Sequence, residues 1–598
     1  MKRHGLVVAI GVVLILLLAG GGAYYLKFQN NVQSQVEAQL QRFFANPPAP
    51  ITKATYQKLD VTLATRSITI DNVVIERSEA PYVIKIGRIE ANGFDTDTWQ
   101  KVFDAASYKE GAPDKTFRKL IDTLTVTNLE YDLKDQGHAT VGKLVVGGVQ
   151  ARQFDVRPEP AMWAALDMRA RVFAALAGIR FDKASYDDMK VVSSKLNGTI
   201  HHADVSGWTL ENVGLMSMDG ADFKNPAMGQ HVEWARLEYR DIPLAAWIDF
   251  ALTRKQPDDI MVLASSGGMK ITGLKSQGGK GGQENVSLAS FELGKVDKRR
   301  LERFEMAGLT VEGPDTGVTI GAIEIKNLDW EQLLPLMQDK DWFSKLAHLT
   351  YSVDKFSIRD VGGANLERLG AKLHEFAFSV STDQASGKQS STATVSGFDI
   401  DASKIQNPQA AGFLKAMGYD KLSLSMDSAG TGDMKAGTSS MDKFRIWAPQ
   451  VGELNWTFAL SDYKQPPKTD KAPTFEEALA PLLAARLQSL RLTWKDDSLA
   501  ERLLKMAGLQ SGATPEQVRD GLVEQIKAFG QQYAGDPAVS AALQAFVAFL
   551  QKPGTLTIDA KPSQPPRFGE IGTLVGASAG PPDLPKLFDV LGITVTAN

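Results

Sequence analysis

Hydrophobic and polar residues alternate along much of the chain, and one eight-residue unit recurs: apolar-x-apolar-x-(Asn/Gly/Asp)-apolar-x-apolar. Copies of this unit begin at Ile68, Leu124, Trp208, Leu237, Phe304 and Ile323. Alternation with period 2 places every second side chain on one face of a strand. The central residue shifts that phase by one position, and Asn, Gly and Asp tolerate the positive φ that a β-bulge can require. The pattern predicts a mainly β (α+β) fold, built on a long, curved, repetitive antiparallel sheet with one apolar face.

The central residues come in pairs that are separated by about one hairpin. The pairs are Asn72 with Gly93, Asn128 with Gly148, Asn212 with Asp241, and Gly308 with Asn327. This spacing predicts hairpins or meanders. We expect the central residues to lie at bulges, strand ends or tight bends, often with positive φ.

Helical segments are predicted to cover the apolar face. Aromatic-led segments that begin at Trp99, Trp247 and Trp330 are predicted to be short capping helices, with the Trp side chains in the core. Longer helices are predicted over Pro160–Ala177 and Pro408–Met417.

The N-terminal region predicts export from the cytoplasm. Lys2 and Arg3 precede an uncharged stretch, Gly5–Leu26. As a helix it would be about 33 Å long, enough for a hydrocarbon core of roughly 30 Å. We therefore predict a transmembrane anchor over residues 1–29, with the bulk of the chain outside the cytoplasm. The alternative is a cleaved signal peptide, for which Gly21–Ala23 offers a site of small residues.

An amphipathic helix is predicted over residues 30–50. Its apolar stripe comprises Val32, Val36, Leu40, Phe43 and Phe44. Its polar face holds mainly Gln rather than Lys or Arg, which favours packing on the first strands over lying on a membrane surface.

The remaining chain divides by composition. A repetitive β-sheet domain is predicted over residues 51–463, and a proline-rich link over 464–473. Residues 474–598 are predicted to be mainly helical, with a helix over Leu499–Met506 that stops at Gly508 and a capping box at Thr514. Strands return at Thr555–Ile558 and Ile593–Thr596, which predicts that the tail docks back onto the sheet.

Composition excludes several protein classes. The net charge is −4 and the pI is about 6.1, without the basic face that a nucleic-acid-binding protein needs. The chain has no cysteine, which excludes disulfides, thiolate metal sites, a Cys nucleophile and a lipoprotein anchor. This composition fits a bacterial periplasmic protein.

No catalytic, cofactor or metal site is predicted. The motifs Gly-x-Ser-x-Gly and His-Glu-x-x-His do not occur. His201 and His202, with Asp204 nearby, are adjacent on a predicted strand, so they point to opposite faces and are not expected to share a metal ion. We expect no enzyme, and a hydrolase with a dispersed site is the remote alternative.

The chain resembles the AsmA-like envelope proteins in its N-terminal span and in repeats such as Ser67–Ile75. It also resembles the YdgA-like periplasmic proteins in the segment Ala54–Leu59. The segments Met417–Ser425 and Leu490–Leu499 have the same character. The resemblance implies a role in envelope integrity and, by analogy with larger AsmA-like members, phospholipid handling along a β-sheet groove. The helical C-terminal region departs from that family pattern.

Two functional hypotheses follow. In the first, a single-pass inner-membrane protein with a periplasmic body holds or shields acyl chains of phospholipid or lipopolysaccharide on its apolar sheet face. The possible lipid-facing residues are Ile68, Ile70, Leu124, Val126, Ile323 and Ile325. In the second, the same face is filled as core, and the protein is an envelope scaffold that contacts other envelope proteins. Alternation alone does not separate these hypotheses, because a lipid-lined groove and a covered core share it.

Overall fold

The computed structural model resolves the chain into two compact units, one up to residue 298 and one from residue 299. The residues described are 32–47, 51–62, 64–77, 82–103, 107–108, 111–133, 137–155, 165–166, 168–194, 196–253, 266–278, 285–297, 300–313, 317–329, 352–383, 385–464, 475–576 and 583–598. The predicted anchor, the segment from Trp330 and the link beyond Lys464 lie outside them. Within these ranges no helix has the length and hydropathy to cross a bilayer.

The first unit is built mainly of strands. They are β1 (Ile51–Thr55), β2 (Lys58–Thr62), β3 (Ser67–Arg77), β4 (Tyr82–Asn92), β5 (Arg118–Leu133), β6 (Gly137–Ala151), β7 (Ile179–Val192), β8 (Asn197–Trp208), β9 (Val213–Asn225), β10 (Gln230–Ile242), β11 (Gly268–Gln277) and β12 (Asn285–Leu293). Its helices are α1 (Val32–Ala45), α2 (Thr96–Phe103), α3 (Met168–Ala177) and α4 (Leu244–Thr253).

The second unit continues with strands and ends in helices. Its strands are β13 (Arg300–Glu312), β14 (Gly317–Asp329), β15 (Val353–Gly362), β16 (Ala371–Asp383), β17 (Lys388–Asp401), β18 (Lys421–Asp433), β19 (Thr438–Ala448), β20 (Gly452–Ser461), β21 (Arg486–Asp496), β22 (Thr555–Ala560) and β23 (Ile593–Ala597). Its helices are α5 (Ala364–Arg368), α6 (Pro408–Ala416), α7 (Phe475–Ala484), α8 (Leu499–Ser511), α9 (Pro515–Gln531), α10 (Pro537–Gln551), α11 (Phe568–Gly576) and α12 (Leu584–Leu591).

Both units are antiparallel meanders. In the first, β1 and β2 both pair with β3, and each later strand pairs with its successor through β12. In the second, β13 through β23 pair consecutively. The predictions of a mainly β fold and of a tail that returns to the sheet are confirmed, since β22 lies between β21 and β23.

The predicted phase shift is a kink without an inserted residue. Asn72 has φ 54 and lies opposite Gly87, where the ladder omits one residue on each strand. The pairs on either side, Asp71 with Arg88 and Val73 with Ile86, keep the same register. A bulge would have shifted that register by one residue. The kink therefore bends the strand while preserving its pairing.

The kinks line up from strand to strand across the first unit. We name the row from β3 to β11 the first crease: Asn72, Gly87, Asn128, Gly142, Asp188, His201, Gly220, Ala235 and Gly273. Positive φ occurs in every second strand, at Asn72, Asn128, Asp188, Gly220 and Gly273. Only these positions therefore require a residue that tolerates the left-handed region.

A second crease runs parallel to the first. Each of its members lies six residues along the chain from a member of the first crease, as Gly93 does from Gly87, either in the same strand or directly at its end. It comprises Arg66, Gly93, Asp122, Gly148, Asp182, Gly207, Gly214 and Asp241. The second unit repeats the arrangement, with positive φ at Gly308, Asp360, Gly397 and Asn327. Of the predicted central residues, Asn212 differs: it lies in the turn between β8 and β9, where its backbone N–H donates to Thr209 Oγ1 at 3.0 Å.

The kinks keep the apolar side chains on one face. In β3 the buried residues are Ile68 and Ile70 before the kink, then Val73 and Ile75 after it, and all four belong to one core cluster. Regular alternation would place Val73 on the opposite face from Ile70. The step of three residues at Asn72 therefore explains the phase shift seen in the sequence.

Replacing Gly148 with Val should strongly destabilise the first unit. Gly148 has φ 65, and a Cβ there would lie 2.0 Å from Asp182 Oδ2. The conformational strain alone costs on the order of 1–3 kcal/mol, and the steric conflict adds to it. The matched control is Gly147→Val, because the nearest atom to a Cβ at Gly147 is 3.9 Å away. Urea melts measure the free energy of unfolding of both variants. Equal values would contradict the conclusion that the crease requires a glycine at position 148.

The helix start predicted at Thr514 agrees with the structure, whereas the helix end predicted at Gly508 does not. Thr514 and Gln517 form the predicted capping box. The helix predicted to stop at Gly508 instead continues to Ser511 and ends at Gly512, which has φ 70. Gly508 is buried, and a Cβ there would lie 2.6 Å from the carbonyl oxygen of Ala513. Close packing of the backbone, rather than helix termination, therefore requires that glycine.

Helices α1 and α2 lie against the start of the first sheet. Helix α1 contacts β1 and β2, and the ring of Phe44 lies 4.6 Å from that of Tyr56. Trp99 of α2 packs against the core cluster, with its ring 5.2 Å from Phe94. The predicted packing of the amphipathic helix on the first strands and the capping helix at Trp99 are confirmed. Trp247 lies in α4 but is 37% exposed, so it is not a core residue.

Candidate functional site

The ladders align apolar residues into rows that run across the strands between the two creases. In the first unit one row contains Ile68, Ala91, Leu124, Val146, Ala184 and Val205. The neighbouring row contains Ile70, Ile89, Val126, Leu144, Tyr186 and Ala203. The first unit therefore carries a continuous apolar band, and this band and its counterpart in the second unit are the candidate site.

The band is covered over the early strands of the first unit. The predicted lipid-facing residues Ile68, Ile70, Leu124 and Val126 are only 8%, 8%, 1% and 0% exposed. Their core cluster also contains Phe44 from α1 and Val102 from α2. The structure places these four residues inside a packed core, where protein atoms already cover them.

The corresponding band of the second unit is half-exposed. One row contains Met306, Ile323, Ile358, Phe376, Val395 and Met426. The next contains Phe304, Ile325, Phe356 and Phe378. Every member is of intermediate exposure, including the predicted residues Ile323 and Ile325. The six predicted residues therefore divide into four that are covered and two that are accessible.

Aromatic side chains give the accessible band its largest surfaces. The rings of Phe356 and Phe378 stack at 4.9 Å, and Phe376 lies 5.9 Å from Phe378. Leu424 and Trp456, which lie farther along the apolar face, are 38% and 40% exposed. These aromatic residues are not among the predicted lipid-facing residues. The spacing Phe376-x-Phe378 was a usable signal, because residues two apart share a strand face.

The C-terminal helices cover one end of this face. Ala542 of α10 packs with Leu556 of β22 and Val595 of β23. Leu591 of α12 joins Leu460 and Leu487 in a second buried cluster. The strands β21 to β23 thus have a filled face, and the accessible band lies on β13 to β20.

The opposite face of the same strands carries charge. Glu324 lies between Ile323 and Ile325 in β14, and its carboxylate is 2.6 Å from Lys326 Nζ and also bonded to Lys355. Hydrogen bonds from Lys326 and then Lys355 lower the pKa of Glu324 to about 2. The sheet is therefore sharply two-sided: ion pairs on one face and hydrocarbon on the other.

The two adjacent histidines have different surroundings, as alternation requires. His202 Nδ1 lies 2.6 Å from Asp187 Oδ1, and its Nε2 lies 3.3 Å from Asp204 Oδ2. His201 lies on the first crease, where its ring occupies the space beside Gly220. The two imidazoles do not converge on one point.

Stability should depend on pH through His202. The hydrogen bond that the Asp187 carboxylate accepts from the His202 ring raises the pKa of His202. The stabilisation that the protonated His202 contributes is fully present below its unfolded pKa of about 6.5. It is lost as pH rises through the higher pKa of the folded state. The decrease in Tm caused by His202→Asn should therefore be larger at pH 5.5 than at pH 9. His201→Asn is the control; the same pH dependence there would contradict the assignment.

Comparison with known proteins finds a family match in the C-terminal part of the chain. A family model described only as an uncharacterized protein matches residues 445–598. No curated protein matches the chain. One solved structure, the WD40 domain of SCAP from fission yeast, aligns at 9% identity over 62% of this chain and 87% of that chain, with a TM-score of 0.09. The matched region begins within β19 and includes β20, which belongs to the accessible band, and the covered strands β21 to β23 with the C-terminal helices.

Proposed function

We propose that the chain holds lipid acyl chains on the accessible apolar band of its second unit. The observation that carries this proposal is the row from Met306 to Met426, in which adjacent apolar side chains on six strands all remain half-exposed. At about 4.8 Å between strands, the row spans roughly 24 Å. Monomeric soluble proteins seldom leave so long an apolar strip open unless it binds something.

The binding would be driven by transfer of hydrocarbon out of water. Each buried CH₂ contributes about 0.8 kcal/mol, while association costs an estimated 4–15 kcal/mol in lost freedom of motion. A long acyl chain can offset that cost, whereas a short one cannot. Every member of the band's two rows that the structure describes is apolar, so the selectivity would be for chain length and saturation rather than for headgroup.

The setting for this activity is the bacterial envelope. The apolar stretch Gly5–Leu26 and the resemblance to AsmA-like and YdgA-like proteins support a single-pass inner-membrane protein with a periplasmic body. In that setting the ligands would be phospholipid or lipopolysaccharide acyl chains drawn from the membrane.

Native mass spectrometry of the purified full-length chain tests the proposal. We expect bound lipid at defined stoichiometry, retained when detergent micelles are removed in the gas phase. A protein that carries no lipid after extraction from lipid-rich membranes would contradict the proposal. Carbonate washing of membranes tests the anchor separately: a chain released from the pellet would contradict the anchor and leave the lipid proposal standing.

A scaffold role has its own support in the first unit. The buried rows around Leu124 and Val126 show that the same sequence pattern also makes an ordinary core. On this basis the first unit would act as a rigid support that contacts other envelope proteins, while the second unit carries the lipid-binding face.

A further inference from the structure

A mixed imidazole and carboxylate cluster lies on the charged face of the first unit. One ligand atom from each of Asp222, His231 and Glu233 lies within 4.8 Å of the other two. His231 Nε2 is 3.0 Å from Asp222 Oδ1. Asp222 is on β9, and the other two are on β10, spaced two apart so that they share a face. The sequence showed only His-x-Glu; the register of the hairpin added the aspartate.

The pairing register leaves this cluster short of positive charge. Asp222 and Glu233 are directly opposite each other in the ladder, and like charges in that position are destabilising. Glu233 is neutralised by Lys275 at 2.9 Å. For Asp222 the ionic partner within 4.0 Å among the described residues is His231 alone, and an imidazole is cationic only when protonated.

A comparable pair in the second unit shows how this chain otherwise resolves such a conflict. Glu305 and Glu324 are also directly opposite. There each carboxylate has a permanent cation: Arg303 lies 2.5 Å from Glu305, and Lys326 lies 2.6 Å from Glu324. At Asp222 the equivalent partner is replaced by an imidazole that can act as a metal ligand.

We propose that Asp222, His231 and Glu233 form a binding site for a divalent transition-metal ion, with Zn²⁺ as the best fit. Nitrogen and carboxylate oxygen donors bind Zn²⁺ at about 2.0–2.2 Å, and a borderline-soft ion is preferred over Ca²⁺ or Mg²⁺ by an imidazole ligand. The side chains are 43%, 28% and 36% exposed, so an ion can enter from solvent and keep water at its fourth position. Metal binding would add a cross-link between β9 and β10, which already pair in the sheet, and would displace the ammonium group of Lys275 from Glu233.

The hairpin is well suited to such a site because its turn is held by side-chain hydrogen bonds. Asn225 Oδ1 accepts from the backbone N–H groups of Ala227 at 3.1 Å and Met228 at 3.2 Å. Only side-chain rotations would then be needed to bring the three ligand atoms to coordination distance.

The test is titration of the EDTA-treated full-length chain with ZnCl₂ by calorimetry, with thermal melts in parallel. We expect one saturable site, a Zn²⁺-dependent rise in Tm, and no competition from excess CaCl₂. His231→Ala and Asp222→Asn should each weaken Zn²⁺ binding at least about 10-fold and abolish the rise in Tm. The matched control His374→Ala removes an imidazole that lies between Asp360 and Asp399, and it should bind Zn²⁺ as the wild type does.

Two results would overturn the proposal: Zn²⁺ binding that does not saturate, or affinity that is unchanged in both His231→Ala and Asp222→Asn. Melts without metal show whether each variant is folded. If one variant fails to fold, the other still decides, because the two residues lie on different strands.

Discussion

The variant Ile325→Asp should lose bound lipid while remaining folded. Ile325 lies between Phe304 and Phe356 in the accessible band and is only half-exposed, so a carboxylate there can keep contact with water. An acyl chain laid over that carboxylate would desolvate it without a partner, which is strongly unfavourable. We expect lipid co-purification, measured by native mass spectrometry, to fall at least about 10-fold.

The matched control for this variant is Thr319→Asp. Thr319 lies on the same strand, is exposed, and stands outside the apolar rows, so its replacement should leave lipid content unchanged. A cooperative melt of Ile325→Asp with Tm close to that of Thr319→Asp is part of the expected result. If Ile325→Asp instead abolishes the cooperative melt, that face is ordinary core and the scaffold hypothesis replaces the lipid hypothesis.

The same kind of change in the first unit should unfold it. Val126 is fully buried, and it lies in a row with Ile89 and Leu144. An aspartate there would bury a charge without a partner, at a cost of at least about 4 kcal/mol, a large share of the stability of a typical domain. We expect Val126→Asp to lose the cooperative unfolding transition of the first unit. Circular dichroism and limited proteolysis measure this loss.

Val126→Ala provides the graded control. It removes buried methyl groups without adding charge and should cost about 1–3 kcal/mol, leaving a folded protein with a lower Tm. A folded Val126→Asp with nearly unchanged Tm would show that the covered band of the first unit is open to solvent after all. The contrast between Val126 and Ile325 thus tests whether one sequence pattern serves two purposes in this chain.

Much of the fold was predictable because its determinants are local. Alternation with period 2 identified the strands, and the residues that allow positive φ, such as Asn72, Asn128 and Gly308, identified the kinks. Capping residues such as Thr514 identified helix starts. These features depend on the conformational preferences of a few neighbouring residues, which short-range sequence reports directly.

The sequence by itself therefore determined the strand pattern, the phase of its apolar face and kinks such as those at Asn72, Asn128 and Gly308, whereas Asn212 lies in a turn. Only the tertiary structure decided what covers that face. Val126 and Ile325 occupy equivalent positions in the same repeating unit, yet helices and neighbouring chain enclose the first and leave the second half-exposed. Register decided the rest: it aligned the kinks into creases and placed Asp222 opposite Glu233. Burial and cross-strand contact depend on residues distant in sequence, so a repeating local pattern carries no information about them.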